Sequence, residues 1–291
     1  MLPTASPPRL RPQTAAATND GPVAQGREFT WTGEDFRRIK ALIHKKAGIS
    51  LHEGKHAMVY SRVSRRLRET GHGSFREYLD WLEQHDGSEW QNFINALTTN
   101  LTSFFREQHH FEILRELLAA RSHQPWRIWC AAASTGEEPY SLAIVCHEVL
   151  GSSGSFEIIG SDIDTRVLAT AARGVYQAEN TKGLSQERLQ RFFMRGKGSN
   201  AGLIRVRPEL QRHVRFMNVN LIHELPLRDP FDIVFCRNVM IYFDAPTQRR
   251  VLERIHRVMK PGGTLFVGHA ENFSHARSLF PLRGKTVYER V

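Results

Sequence analysis

The stretch Arg127-Ile-Trp-Cys-Ala-Ala-Ala-Ser-Thr-Gly-Glu-Glu-Pro-Tyr-Ser-Leu142 decides the fold. Its first five residues are mostly apolar and too few for helical periodicity, so they read as a buried strand. Ala132 to Gly136 are small residues that let a ligand approach the backbone. Pro139 suits a first helical turn, where its missing N–H costs nothing. Leu142, Val145, Cys146 and Val149 then recur at helical spacing. A strand that turns into a helix N-terminus over small residues is the entrance to a nucleotide-type site in an open α/β sheet. The full G-x-G-x-x-G is absent, Gly136 being the turn's single glycine. The turn therefore argues for a ligand site and is silent on the reaction.

Working outward from it, strands alternate with helices. Phe156 to Ser161, Val214 to Val219, Phe231 to Cys236 and Thr264 to Val267 read as strands. Asp164 to Arg173 reads as a helix, as does the segment opened by Asp244 and Pro246. The end of the chain reads as a hairpin turning at Arg283-Gly284. This alternation predicts a doubly wound α/β sheet. Residues 184–213 break the rhythm with a short helix, the loop Arg195-Gly-Lys-Gly-Ser-Asn-Ala-Gly202 and the β-like Leu203-Ile-Arg-Val-Arg207, which together suggest an inserted β-subdomain.

Upstream, residues 28–99 are helical throughout. Thr32 and Asp35 start a first helix, and Lys55 to Arg68 form a second with Val59, Val63 and Leu67 on its apolar stripe. Ser74-x-x-Glu77 and Ser88-x-x-Gln91 have capping-box spacing before two further apolar faces. Short connections make this a small helical bundle. Lys55, Arg62, Arg65, Arg66 and Arg68 share the second helix with no acid among them, which reads either as a solvated face or as a docking face. Residues 100–125 form a linker and helix, in which Thr102 or Ser103 is placed to cap a face of Phe104, Phe111, Leu114 and Leu118. Residues 1–27, rich in Pro, Ala, Thr and Gly, read as a disordered tail.

Composition narrows the class. The 291 residues are 41% hydrophobic, enough for two cores. No apolar run approaches the ~20 residues a bilayer crossing needs. Cys130, Cys146 and Cys236 lie inside apolar runs and read as reduced thiols of a cytoplasmic protein, with no metal-ligand spacing. A formal charge of +10 favours an anionic partner without choosing which.

The candidate chemistry sits at strand ends. Asp162 follows the second strand, 26 residues after Gly136, where an acid can take both hydroxyls of a ribose. It reads equally as a helix N-cap, a role for which Asp164 competes. Glu137 sits at a helix start, where the macrodipole favours any acid. Asn220-Leu221 and Arg237-Asn238 fall at the carboxyl ends of later strands. Asn100, Thr102 and Arg106 are polar groups at the junction between bundle and sheet.

Five blocks taken together resemble the chemotaxis receptor methyltransferase family, CheR: Asn100-Leu-Thr-Ser-Phe-Phe-Arg-Glu, Ala132-Ala-Ser-Thr-Gly-Glu-Glu-Pro-Tyr-Ser, Ser161-Asp-Ile-Asp, Phe235-Cys-Arg-Asn-Val-Met-Ile-Tyr-Phe-Asp and Gly268-His-Ala-Glu-Asn. The blocks fall in order, and the match as a whole runs from about residue 29 to the end. The resemblance implies a Rossmann-like methyltransferase domain over residues 126–291. It also implies an enzyme that uses S-adenosylmethionine to methylate glutamates on cytoplasmic helices of chemoreceptors, leaving S-adenosylhomocysteine. Carried over by position, the cofactor site would be Asn100, Thr102, Arg106, Glu137, Asp162, Asn220, Leu221, Arg237 and Asn238, with Arg106 and Tyr242 beside the transferring methyl. Asn218 is a near alternative to the Asn220-Leu221 pair.

The family's receptor-docking helix would be the basic one, through Arg62, Arg65 and Arg66. The loop with Arg195, Gly196 and Gly198 resembles one that tethers a receptor's C-terminal peptide. A monomer that is not membrane-inserted and binds no nucleic acid is expected. Two alternatives are an RNA methyltransferase, against which no RNA-binding module or aromatic-interleaved basic strand is seen, and a non-catalytic S-adenosylmethionine-sensing scaffold. A glutamate carboxylate, which ordinarily titrates at about 4.3, is already ionised near neutrality, so the lack of a His/Asp or Cys/His pair fits methyl transfer to it.

Overall fold

The computed structural model describes residues 27–181, 184–273 and 276–291. All but the last residue of the predicted tail lies outside them. Four helices open the chain: α1 (Gly33–Ala47), α2 (His56–Thr70), α3 (Phe75–Gln84) and α4 (Ser88–Leu97). Thr32 closes a full capping box with Asp35 on α1, and Gly48 ends that helix in the left-handed conformation. Their apolar stripes meet in one core of Phe36, Ile39, Val59, Val63, Leu67, Phe75, Leu79 and Phe93.

Two expectations about these helices fail. Ser88 is not a cap: Gly87 takes that position in extended backbone, with no side-chain cap bond. Gln91, freed from the box, donates to the Ile163 carbonyl and to Asn95 Oδ1, both at 2.7 Å. Nor does the absence of an acid within the basic run leave the α2 arginines without partners. Arg66 bonds Glu89 at 2.7 Å and also pairs with Glu69. Arg65 meets Glu69 at 2.8 Å, Arg68 meets Glu28 at 3.1 Å, and Arg62 donates to the Thr98 carbonyl at 2.6 Å. Most of these partners lie elsewhere in sequence, so the basic run itself shows no acid.

Residues 98–108 have no regular structure. Thr102 and Ser103 do not cap the next helix, α5 (His109–Ala120), whose N-cap is Gln108. Phe104 is instead drawn against Tyr176 and Phe193, and Phe105 against Phe111. That path puts Phe105 and Glu107 at positive φ.

The α/β part continues with β1 (Trp126–Cys130), α6 (Glu137–Leu150), β2 (Phe156–Asp162) and α7 (Thr165–Arg173). A small excursion follows: β3 (Val175–Gln177), α8 (Gln186–Phe192), β4 (Phe193–Arg195), β5 (Leu203–Val206) and α9 (Pro208–Gln211). The chain then returns through β6 (Val214–Asn218), β7 (Phe231–Cys236), α10 (Ala245–Arg257), β8 (Met259–Val267), β9 (Leu282–Gly284) and β10 (Val287–Glu289). The seven-stranded sheet has the order β6-β2-β1-β7-β8-β10-β9, parallel as far as β8 and antiparallel beyond. A separate antiparallel sheet runs β3-β5-β4. Its first strand lies before residue 184, because Val175–Gln177 pairs with Arg205–Leu203.

Strand alternation divides the core. Ile128, Cys130, Ile158, Ile233 and Phe235 pack with α5 and α6 on one face. Trp129, Ile159, Val234, Cys236 and Leu265 pack with α10 on the other. The last hairpin turns at Lys285-Thr286, both at positive φ, not at Arg283-Gly284, which belongs to β9.

Candidate functional site

The chain runs outward from β1 to β2 and β6, then comes back to pair β7 on the other side of β1. Strand order therefore reverses between β1 and β7, which is where open sheets bind ligands. The carboxyl ends of β1, β2 and β7 meet the helical bundle there. Between them lies a cavity of about 280 Å³, walled by Ala47, Ile49 to His52, Lys55 and Met58 of the bundle, by the junction from Leu97 to Thr102, and by the sheet edge. Asn100, Thr102, Arg106, Asp162, Asn220, Leu221, Arg237, Asn238 and Tyr242 all line it.

Glu137 does not. Its carboxylate accepts a 2.6 Å bond from Thr135 Oγ1, and burial pushes its pKa up. The neighbouring Glu138 lines the cavity instead. One residue of helix turns a side chain through about 100°, and the phase is set by Gly136, which starts α6 at φ 99°. A Cβ at Gly136 would fall 2.8 Å from both the Ala171 Cβ and the Tyr176 hydroxyl, so the turn is fixed by packing as well as by φ.

Asp162 ends β2 and is 8% exposed. Burial pushes its pKa up, while backbone N–H groups of Asp164 and Ser134 oppose this. Oδ2 accepts from Ser134 N at 2.8 Å and Oδ1 from Asp164 N at 2.9 Å. A carboxylate has about four lone-pair sites, so capacity remains at the cavity wall. The N-cap of α7 is Asp164, which accepts from Arg166 N and also takes bonds from Thr98 and Asn100 at 2.8 Å. Asn218 is spent on the Asp162 and Ile163 carbonyls, both at 3.0 Å. Asn220 donates to the Lys46 carbonyl at 2.7 Å, tying the sheet to α1.

Arg237 has a fully buried side chain. It donates to Glu138 Oε2 at 2.7 Å and to the Arg106 carbonyl at 2.6 Å, and it lies 3.3 Å from Glu107 Oε2. Its Nε finds no partner. Arg106 is held in turn through Nη1 to the Leu101 carbonyl at 2.9 Å. Burial raises the Glu107 pKa, but the His269 hydrogen bond and the Arg237 charge prevail and hold it at about 2. Behind it, burial and the Arg237 charge push His110 down to about 4, so this imidazole is neutral near pH 7. It faces Thr286 Oγ1 at 3.0 Å.

One organising residue does not stand out in the sequence. Glu271, 4% exposed, accepts backbone N–H bonds from Gly268, Asn238 (3.0 Å), Met240 (2.8 Å) and Ile241 (3.3 Å). It thereby fixes the loop that presents Asn238, at φ 56°, and Tyr242. A Cβ on Gly268 would lie 2.3 Å from Asn238 Nδ2, so that close approach requires glycine. The signal is present in the Gly268-His-Ala-Glu-Asn block, but nothing in it says that the acid serves the backbone.

The remaining expected residues lie away from the cavity. Arg62, Arg65 and Arg66 are on α2, Arg195 ends β4, and Gly196 and Gly198 are in the β4–β5 connection. Among the described residues, no group of three or more His, Cys, Asp or Glu is placed to hold a metal ion. No helix there is long and apolar enough to cross a membrane.

Both parts of the chain match known proteins. Residues 34–98 match the family of the CheR methyltransferase all-alpha domain, and residues 100–288 that of the CheR methyltransferase SAM binding domain. A chemotaxis protein methyltransferase of Salmonella typhimurium is 54% identical, covering 87% of this chain and 88% of its own length. One from Escherichia coli is 52% identical over 87% and 89%. Chemotaxis protein methyltransferase 2 of Pseudomonas aeruginosa is 50% identical over 92% and 96%. With both domains matched in order across the two halves that enclose the cavity, the chain belongs to the CheR methyltransferase family.

Proposed function

We propose that this protein transfers the methyl group of S-adenosylmethionine to glutamate carboxylates on the cytoplasmic helices of chemoreceptors. The observation that carries the reading is the convergence of Arg106, Asp162, Arg237, Asn238 and Tyr242 on one cavity between bundle and sheet.

The residues present fit the cofactor. Asp162 has lone pairs to spare for two ribose hydroxyls, and Val219 and Leu221 offer apolar wall to a base. Glu138 and Arg237 set opposite charges side by side, as the zwitterionic end of an amino acid requires. When bound, the cofactor supplies an electrophilic methyl on a sulfonium, which is the difficult chemistry.

The chain's own task is alignment. Arg106 is anchored through Nη1 to the Leu101 carbonyl, so the rest of its planar fork is free to meet a carboxylate. Tyr242, held through its carbonyl by Ser50 N at 2.8 Å, orients the same group. Such positioning is worth several kcal/mol, up to about 7–11 in the best intramolecular cases. Outside the cavity, the exposed Arg65 on α2 is placed to meet an acidic helix bundle. The edge strand β4, which ends in Arg195 and runs into Gly196 and Gly198, would take a receptor's C-terminal peptide as an added strand. This activity belongs in the cytoplasm, where those receptor helices lie.

The test is Arg106→Ala. Turnover on a receptor fragment should fall by about a hundredfold or more, while the Kd for S-adenosylhomocysteine by calorimetry changes less than about tenfold. Turnover equal to wild type would refute the assignment.

A further inference from the structure

Among the described residues, four large apolar side chains stand exposed: Leu101, Ile241, Leu282 and Val291. Two of these, Leu101 at 79% and Ile241 at 51%, line the same cavity from separate segments of the chain, the junction after α4 and the loop after β7. Neither is exposed because its backbone is loose. The Leu101 carbonyl holds Arg106, and Ile241 N donates to Glu271. Both therefore stand in water at the cavity wall on ordered backbone, where a solvated polar residue would serve stability better.

Among the exposed cavity-lining residues the single charge is the Lys55 ammonium, and none is an acid. His52 and Lys55 are exposed there, whereas the acids that line the cavity, Glu138 and Asp162, are buried and engaged. An apolar pair in a cavity also lined by Lys55 and Arg106 complements a surface that offers carboxylates and apolar side chains together. On a helix those alternate within one turn, at spacings of three and four residues.

We propose that Leu101 and Ile241 form a selectivity rim. They receive an apolar side chain one helical turn from the glutamate being methylated, so that the accepted glutamate is chosen by its apolar neighbour as well as by its charge. This rests on the methyl-transfer reading above and adds to it which acidic helices are taken. Arg106 is tied to the Leu101 carbonyl, so seating the neighbour on Leu101 registers the carboxylate at the guanidinium.

The experiment uses the full chain and two synthetic acidic helices that differ only in one position, leucine or serine, four residues from the single glutamate. Wild type should prefer the leucine helix in kcat/KM by on the order of tenfold, the size expected when an apolar pocket discriminates. Leu101→Ser and Ile241→Ser should each erase most of that preference and leave the Kd for S-adenosylhomocysteine within about twofold. Leu101→Met, which keeps the apolar surface, should restore it. Equal kcat/KM for the two helices in wild type, or a preference that survives in both serine variants, would overturn the rim. A wild-type chain that binds S-adenosylhomocysteine yet methylates neither helix would overturn the methyl-transfer reading itself. That result is distinct from a loss of preference.

Discussion

Arg66 in the helical bundle and Arg237 at the sheet edge are both arginines buried among carboxylates. Their side chains are 12% and 0% exposed. Arg66 closes its network: Glu89 takes two of its N–H groups, and Tyr78 and Asn92 complete that carboxylate at 2.8 and 2.9 Å. Arg237 leaves its network open, with an unpartnered Nε and with Glu138 and Asn238 facing a cavity. The lesson is that burial and pairing alone do not separate a structural arginine from a functional one. Spare bonding capacity at a cavity wall does.

The largest effect expected follows from removing each charge in turn. Arg66→Met strands Glu89, and Arg237→Met strands Glu138 and Glu107. Breaking a buried pair costs about 3–5 kcal/mol, so both variants should lose stability of that order in urea titrations. Only Arg237→Met should also lose S-adenosylhomocysteine binding, by on the order of a hundredfold in calorimetry at a temperature where it remains folded. If Arg66→Met weakened binding as much, the distinction between closed and open networks would fail.

A second effect sharpens the comparison from the open side, because the Arg237 charge also acts on His110. The buried imidazole has its pKa depressed to about 4 in the fold, against about 6.5 when exposed. Between those values the unfolded chain binds a proton that the native one refuses, so stability rises with pH across this window and is lost on acidification. His110→Gln should remove on the order of 2 kcal/mol of the stability difference between pH 7 and pH 5. Glu107 acts lower, its stabilisation being lost only as pH falls from about 4.5 toward about 2. Urea midpoints at the two pH values check the sign. A variant with unchanged pH dependence would place the titration elsewhere.

How far the sequence can be read follows the same division between local and distant causes. The strand, turn and helix around Gly136 are legible because small residues, a strand-length apolar run and helical spacing are local signals. The positions of Asp162, Arg237 and Asn238 at strand ends are legible for that reason too. What distant contacts decide is not. The choice of Glu138 over Glu137 depends on a left-handed glycine wedged against Ala171 and Tyr176. The junction's failure to cap α5 depends on Phe104 meeting Tyr176 and Phe193, which lie far along the chain. The basic helix looks unpaired because Glu89 and Glu28 come from other parts of the chain. Glu271 gives no sign of its task, since its partners are backbone N–H groups that nearly every residue carries.

The smallest effect concerns Arg65, an α2 arginine that the bundle does not need. Arg62 fastens the end of α4, and Arg66 neutralises Glu89, so reversing either charge would disturb the fold before it reported on docking. Arg65 is 72% exposed and has an i,i+4 pair with Glu69, worth little at a solvated surface. Arg65→Glu should therefore leave thermal stability nearly unchanged and still lower the rate of receptor methylation severalfold at low ionic strength. The loss should fade by about 0.5 M salt, where the Debye length falls toward a few ångströms. Initial rates across a salt series check this, and a loss that persisted undiminished at high salt would show that Arg65 acts by contact and not through the field of the helix.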